Sequence, residues 1–229
     1  MDIMDNITFL TEFYKNKNYK ILKDKLINAN TASELEYLAL VYMQEKNYAA
    51  ASEIYRKIDM PYEHGRCELL LGNIDNTKYI WKTINDDSPQ TLWGRSLLEF
   101  INLYVIHIPT FFQIRAFLEV DLDDLLNAGQ ISFCENIVNG AHIFEKSNQE
   151  SYKFIGRVFV NNKYFDLAKL YLNKAKDICY IDPEVHFLLA KCYLNDNKKE
   201  DATKELKVCL DKGYNYFPAK KLLDEINIS

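Results

Sequence analysis

Apolar and small residues recur with a fixed spacing near the C-terminal end of the chain. Over residues 152–175 the order is large, large, small, aromatic, then small, large, small, and it returns 34 residues later over 186–209. The members are Tyr152, Ile155, Gly156, Phe159, Ala168, Leu172 and Ala175, then His186, Leu189, Ala190, Tyr193, Ala202, Leu206 and Cys209. The first four positions of each set share one helix face, and the last three share a face of the next helix. Polar turns at 161–164 and 195–198 separate them, so each set predicts a helical hairpin.

This spacing resembles the tetratricopeptide repeat (TPR) family, whose unit reads W-x2-L-G-x2-Y, then A-x3-F, then P. Tyr152 and His186 stand where that family has Trp, and Leu172 and Leu206 stand where its second helix has Phe. The resemblance implies an all-α fold, a right-handed superhelical α-solenoid of TPR-like helical hairpins. It also implies a concave groove, lined by the first helix of each hairpin, in which extended peptides or partner helices bind.

Small residues within each predicted hairpin indicate that its two helices pack closely. Gly156 and Ala190 lie on the first helices, and we expect Ala168 and Ala202 on the second helices to meet them. An aromatic residue would then fill the space beside each crossing.

The rest of the chain follows the repeat less regularly. Residues 1–87 predict short, degenerate repeats, with Thr31 and Glu34 in the spacing of a capping box. Residues 88–147 predict longer apolar helices, opened by Pro89 and Pro109 and including one helix over 131–144, that splice the repeats together. Residues 148–212 hold the two regular repeats, and 213–229 predict a capping helix. We therefore expect residues 1–229 to form a single array of about 14 helices.

Composition narrows the class of protein. The net charge is −5 and the pI is about 5.5, which argues against a nucleic-acid-binding protein. No apolar stretch is long enough to span a membrane, and the acidic N-terminus lacks a secretory signal, so we expect a cytoplasmic protein. The five cysteines have no paired spacing and predict buried, reduced thiols.

Motifs for catalysis, metals or cofactors do not occur in the sequence. It has no phosphate-binding glycine loop, no H-E-x-x-H and no G-x-S-x-G, and its four histidines are far apart. His186 occupies a packing position of the repeat, and the acidic run from Glu119 to Asp124 predicts a solvated helix face. We expect no cofactor, no metal and no enzymatic activity.

Polar positions left over by the repeat packing are the candidate binding residues. They are Lys153, Arg157 and Asn161 on one first helix, and Phe187, Lys191 and Asn195 on the next, again 34 residues later. A Lys/Arg row suits a carboxylate on a ligand, and Asn side chains suit a peptide backbone because each both donates and accepts. A solvated helix face that binds nothing would show the same residues, so a binding site and a solvated face both remain open interpretations.

The most direct function is that of a non-enzymatic interaction scaffold or adaptor, which binds a peptide or partner protein in the concave groove. Two alternatives remain open at this point. One is a regulatory TPR protein whose array changes shape with a peptide or small ligand. The other is a fixed subunit of a larger assembly, with apolar residues of the middle segment as its interface. Those residues are Trp93, Phe100, Tyr104, Phe111 and Phe112.

Overall fold

The structure, a computed structural model, describes residues 10–213 and 215–228 of the chain. Its regular secondary structure in this range is helical throughout, which confirms the all-α class, and it comprises fifteen helices where about 14 were expected. The chain divides into two compact units, Met1–Arg95 and Ser96–Ser229. Residues 1–9 of the predicted N-terminal repeats, and Tyr214 and Ser229 of the predicted cap, lie outside the described range.

The first unit contains six helices and the start of a seventh. They are residues 10–15 (α1), Tyr19–Lys25 (α2), Ala32–Gln44 (α3), Tyr48–Lys57 (α4), Pro61–Leu70 (α5), Ile74–Lys82 (α6) and Pro89–Ile101 (α7), which contains the unit boundary. Thr31 Oγ1 accepts from the Glu34 amide at 3.3 Å, and the Glu34 carboxylate accepts from the Thr31 amide at 3.2 Å. The predicted capping box is therefore confirmed, as is the helix start at Pro89.

The helices of the second unit follow one another after α7. A continuous helix α8 consists of Phe111–Gln113, a π-helical turn Ile114–Leu118, and Glu119–Asn127. The others are Ile131–Asn139 (α9), Ala141–Ser147 (α10), Ser151–Asn161 (α11), Phe165–Ile178 (α12), Pro183–Asn195 (α13), Lys199–Lys212 (α14) and Phe217–Ile228 (α15). No described helix is both long and apolar enough to cross a membrane.

The prediction of one helix over 131–144 is wrong, because Gly140 separates α9 from α10. A Cβ at Gly140 would lie 2.3 Å from Cδ1 of Phe100, so the ring occupies the space that a side chain would need. Phe100 also packs against Phe144, with ring centroids 4.2 Å apart, and both rings are fully buried. The chain turns at Gly140 around this aromatic pair.

The two regular repeats form the hairpins α11/α12 and α13/α14, as the spacing predicted. In the first hairpin the residue that meets Gly156 most closely is Leu172 rather than Ala168, since a Cβ at 156 would lie 2.6 Å from Leu172 Cγ. In the second, Ala190 and Ala202 belong to one buried cluster, against which Leu222 of α15 packs. Stacked hairpins of this kind are the unit of an α-solenoid, whereas one continuous array through both units stays a prediction.

A buried carboxylate ties three helices of the first unit together. Glu68 on α5 accepts from Ser52 Oγ at 2.6 Å, from Asn76 Nδ2 at 2.8 Å and from Asn73 Nδ2 at 3.0 Å. Burial alone would raise the pKa of Glu68, but these three hydrogen bonds outweigh it and hold the pKa below the usual glutamate value. The ionised form is therefore the one that the fold stabilises.

Glu68→Gln should lower stability near neutral pH by about 1–3 kcal/mol, because an amide group would face three donors with one acceptor oxygen. A depressed pKa in the folded state gives stability that is present above the unfolded pKa and lost as pH falls through the folded pKa. The difference between Glu68→Gln and wild type should therefore shrink below about pH 4.5. Urea denaturation at pH 7 and pH 3 measures it, and an equal difference at both values would contradict this account.

Candidate partner-binding surface of the second unit

The first helices of the two regular hairpins, α11 and α13, are joined by ion pairs. Lys153 Nζ on α11 lies 2.7 Å from Asp182 Oδ2, and Arg157 lies 2.7 Å from Glu184 Oε2. Asp182 is also the N-cap of α13, because its other carboxylate oxygen accepts from the Glu184 amide at 3.0 Å. The start of α13 is thus fixed by the same group that binds Lys153.

Further carboxylates complete an ionic network around these two cations. Lys153 donates to Glu150 at 2.7 Å, and Glu150 also pairs with Arg115 of α8 at 3.1 Å. Arg157 pairs with Glu119 of α8 at 2.6 Å. Burial lowers the pKa of both Lys153 and Arg157, but the surrounding carboxylates outweigh it and raise the pKa of each above its ordinary value. Both cations are therefore neutralised within the chain.

The predicted solvated face at 119–124 is wrong in two places. Glu119 is engaged by Arg157, and burial raises its pKa even though the guanidinium acts in the opposite direction. Asp121 is buried, with 7% exposure. A π-helical turn at Ile114–Leu118 precedes both residues, and its extra residue rotates everything after it relative to an ideal α-helix. The apolar positions Leu122, Leu125 and Leu126 after the turn are buried, as their spacing predicts, so the error concerns what packs against the acidic positions and not which face is apolar.

Lys191 on α13 differs from the other two cations. Its Nζ lies 5.9 Å from the centroid of the Phe187 ring, and no described carboxylate lies within ion-pair distance of it. Phe187 packs in turn against Tyr216, with ring centroids 5.4 Å apart. Burial raises the pKa of the Tyr216 hydroxyl. A half-buried aromatic pair thus supports an ammonium group that has no acidic partner among the described residues.

The two asparagines of the predicted row, Asn161 and Asn195, are exposed at the C-terminal ends of α11 and α13. Asn161 lines an open cleft of about 510 Å³ between α8 and α11, together with Glu119, Asp123 and other polar residues. In this cleft Asn162 Nδ2 donates to Asp123 Oδ1 at 2.6 Å. Asn195 adjoins Asp196, whose carboxylate is bound by Lys169 at 2.6 Å.

Sequence reasoning placed Lys153 and Arg157 on an outward face, but Lys153 is buried, with 7% exposure, and the carboxylates that face both cations were missed. Glu119 and Glu184 lie 38 and 27 residues from Arg157 along the chain, and no local spacing connects them. One signal was available: the Asp182-Pro183-Glu184 start of α13 places two acids at a helix N-terminus, close to the preceding first helix.

The thiols and histidines show no metal-site geometry within residues 10–213 and 215–228. Cys67, Cys134, Cys192 and Cys209 are buried, as predicted, and burial raises the pKa of Cys67 to about 12. The fifth, Cys179, is exposed, because it ends α12 instead of packing within it.

His186 is buried at its packing position, as predicted, and both nitrogens of its ring also have hydrogen-bond partners. Its Nδ1 lies 2.5 Å from Glu205 Oε2, and its Nε2 lies 2.7 Å from the Tyr180 carbonyl oxygen. Lys176 reaches the same Glu205 at 3.1 Å. Each ring nitrogen therefore faces an acceptor, which fixes the ring between the loop that follows α12 and helix α14.

Comparison with known proteins gives distant likenesses to solved structures. No protein-family model matches the chain, and no curated protein matches its sequence. A thermophilic TPR protein of Thermus thermophilus is 15% identical, with a TM-score of 0.39, over 87% of this chain and 100% of that one. The Cut9-Hcn1 hetero-tetramer of the APC/C is also 15% identical, with a TM-score of 0.41, over 96% of this chain and 42% of that one. The TPR-like description rests on the hairpins themselves, namely the 34-residue spacing and the Gly156–Leu172 contact.

Proposed function

We propose that this chain is a protein-interaction scaffold and that its second unit binds a peptide segment of a partner protein along α11 and α13. The contacting residues would be Asn161, Phe187, Lys191 and Asn195. Lys153 and Arg157 would frame the site, since their ion pairs hold the two helices together. The observation that carries the proposal is the contrast between these two neutralised cations and Lys191, which has no acidic partner among the described residues.

The chemistry of this surface specifies the kind of segment that would fit. An acidic side chain or a terminal carboxylate would supply the anion that Lys191 lacks, and such charge-assisted hydrogen bonds are the strong ones. An apolar neighbour would contact the edge of the Phe187–Tyr216 pair. Exposed Asn161 and Asn195 could each donate to and accept from an extended backbone. Because the ionic frame is already formed, little ordering of the protein is needed on binding.

The proposal assigns a binding role and no chemical step. The regulatory alternative, in which a ligand changes the shape of the array, stays a prediction. The fixed-subunit alternative has support from a different part of the chain, described below.

Charge reversal at Lys191 tests the site. We expect Lys191→Glu to weaken partner binding about tenfold or more, because it removes a charge-assisted contact and repels an acidic group. The matched control is Lys207→Glu, which makes the same charge change at an exposed position on α14. Each variant would be used as bait in native lysate, with captured proteins quantified by mass spectrometry and folding verified by circular dichroism. Partners captured equally by both variants and by wild type would contradict the assignment.

A further inference from the structure

A large exposed apolar surface of the second unit is contributed by a stretch without formal charge. Between Glu99 and Arg115 the sequence contains no Asp, Glu, Lys or Arg. Six large apolar residues of this stretch face solvent, with exposures from 42% at Phe111 to 77% at Phe112. They are Leu103, Tyr104, Ile106, Ile108, Phe111 and Phe112, called here the uncharged strip. The other aromatics proposed for an interface, Trp93 and Phe100, are buried inside the fold.

Polar groups hold the uncharged strip in a fixed conformation. The mostly buried carboxylate of Glu99 accepts from the amides of Ile106 and His107, each at 2.8 Å, and lies 2.5 Å from Nδ1 of the His107 ring. At the other end Thr110 and Gln113 form a capping box at the start of α8. The apolar side chains are therefore held outward by their backbone, so a partner would meet a preformed surface.

Leu103 is exceptional among the described non-glycine residues with positive φ. It has φ of 57°, in the left-handed region that a bulky side chain rarely adopts. The other non-glycine residues described with positive φ are polar: Lys17, Lys46, Asp59, Lys163 and Asn197. At this one position the chain carries an exposed leucine in a strained conformation, and strain of this kind concentrates at functional sites.

The size of the uncharged strip is large for a surface that stays in water. The exposed fractions of its three aromatic residues add up to nearly two whole residues. At 150–250 Å² per aromatic side chain, this is an exposed area of roughly 300–500 Å². Its three aliphatic residues add a smaller area. The largest apolar patch on an ordinary monomer is about 300–600 Å². Two such strips face to face would approach the ~1,200 Å² at which specific protein interfaces begin.

We propose that the uncharged strip pairs with the same strip of a second copy of this chain. The net charge of −5 makes two copies repel each other over most of their surfaces. The strip contributes no charge to that repulsion, since Glu99 is turned inward to its hydrogen bonds and Arg115 is paired with Glu150. An isologous, two-fold contact brings identical surfaces together, and an apolar strip without charges is compatible with itself. This inference is independent of the groove assigned to Lys191.

Light scattering over a protein concentration series tests the pairing. We expect the wild-type mass to rise from 26.9 kDa toward twice that value, and Phe112→Asp to weaken the association at least tenfold. Phe112 is 77% exposed, so the substitution should leave the fold intact, which circular dichroism would verify. The matched control is Tyr79→Asp, which changes an aromatic residue of the first unit that is 73% exposed. This variant should associate like wild type.

Four outcomes would overturn the pairing. Wild type that stays monomeric at the highest concentration excludes a second copy as the occupant. Association that persists in Phe112→Asp, or that is lost equally in Tyr79→Asp, places the contact elsewhere. Monomeric wild type that binds phosphatidylcholine vesicles, with the binding lost in Phe112→Asp, would assign the strip to a lipid surface instead.

Discussion

Arg157→Glu is expected to lower the free energy of unfolding of the second unit by about 2–4 kcal/mol. Removal of one partner from a buried ion pair typically costs about 3–5 kcal/mol, and partial exposure of this network reduces that figure. Arg157 pairs with Glu119 and Glu184, whose side chains are only 31% and 29% exposed. The substitution would place a third carboxylate between two others, and the cation left nearby, Lys153, lies 3.9 Å from Glu184 and forms no ion pair with Glu119.

Urea denaturation followed by circular dichroism measures this loss, with Lys191→Glu as the matched control. It makes the same charge change on the next first helix, but it breaks no ion pair among the described residues, so its stability should stay within about 0.5 kcal/mol of wild type. Equal stability losses in the two variants would show that the network around Arg157 contributes little.

This result also decides how the binding surface should be probed. Charge reversal at Arg157 changes the joint between α8, α11 and α13, so a lost partner in that variant would report on folding as much as on binding. Lys191 can be changed without that complication. The two substitutions separate the frame of the proposed site from its contacting residues.

The regular hairpins could be predicted from the sequence because their signal is local and repeated. Apolar residues at helical spacing define the faces of α11 to α14, and the 34-residue offset shows that the two hairpins are equivalent. Two helix starts could also be predicted from the sequence, because the residues that mark them act on the adjacent backbone. These residues are Thr31 with Glu34, and Pro89.

The charged contacts could not be predicted in the same way. Once the packing positions of a helix are assigned from the sequence, the remaining positions are expected to point outward. The sequence pattern does not show which residues of other helices lie opposite them. For Lys153 the answer is Asp182, 29 residues away, and for Lys191 the described residues provide no carboxylate at all. Arg157 and Lys191 occupy equivalent positions 34 residues apart, yet Arg157 is paired with Glu184 and Lys191 has no such partner among the described residues.

Gly65→Ala should destabilise the first unit by about 2–3 kcal/mol, although alanine favours a helix over glycine by about 1 kcal/mol. A Cβ at Gly65 would lie 2.2 Å from Nε1 of Trp81 and 2.5 Å from its Cδ1, far inside contact distance. The ring has little room to retreat, because Nε1 donates to the Tyr62 carbonyl at 3.0 Å and the ring stacks on Tyr62 at 5.1 Å. Gly94 closes its other side, where a Cβ would lie 3.0 Å from Cζ3.

A double-mutant cycle with Trp81→Phe isolates this contact. The phenyl ring of Phe lacks the pyrrole atoms that overlap the added methyl, so Gly65→Ala should cost at least about 1 kcal/mol less in the Trp81→Phe background than in wild type. Thermal or urea unfolding of the four proteins provides the coupling energy. Equal costs in both backgrounds would mean that the methyl group is accommodated by a shift of α5 and not resisted by Trp81. The shortened repeat around Gly65 would then owe its close helix approach to backbone geometry, such as the Thr77 hydroxyl bond to the Gly65 carbonyl at 3.2 Å, rather than to the indole ring.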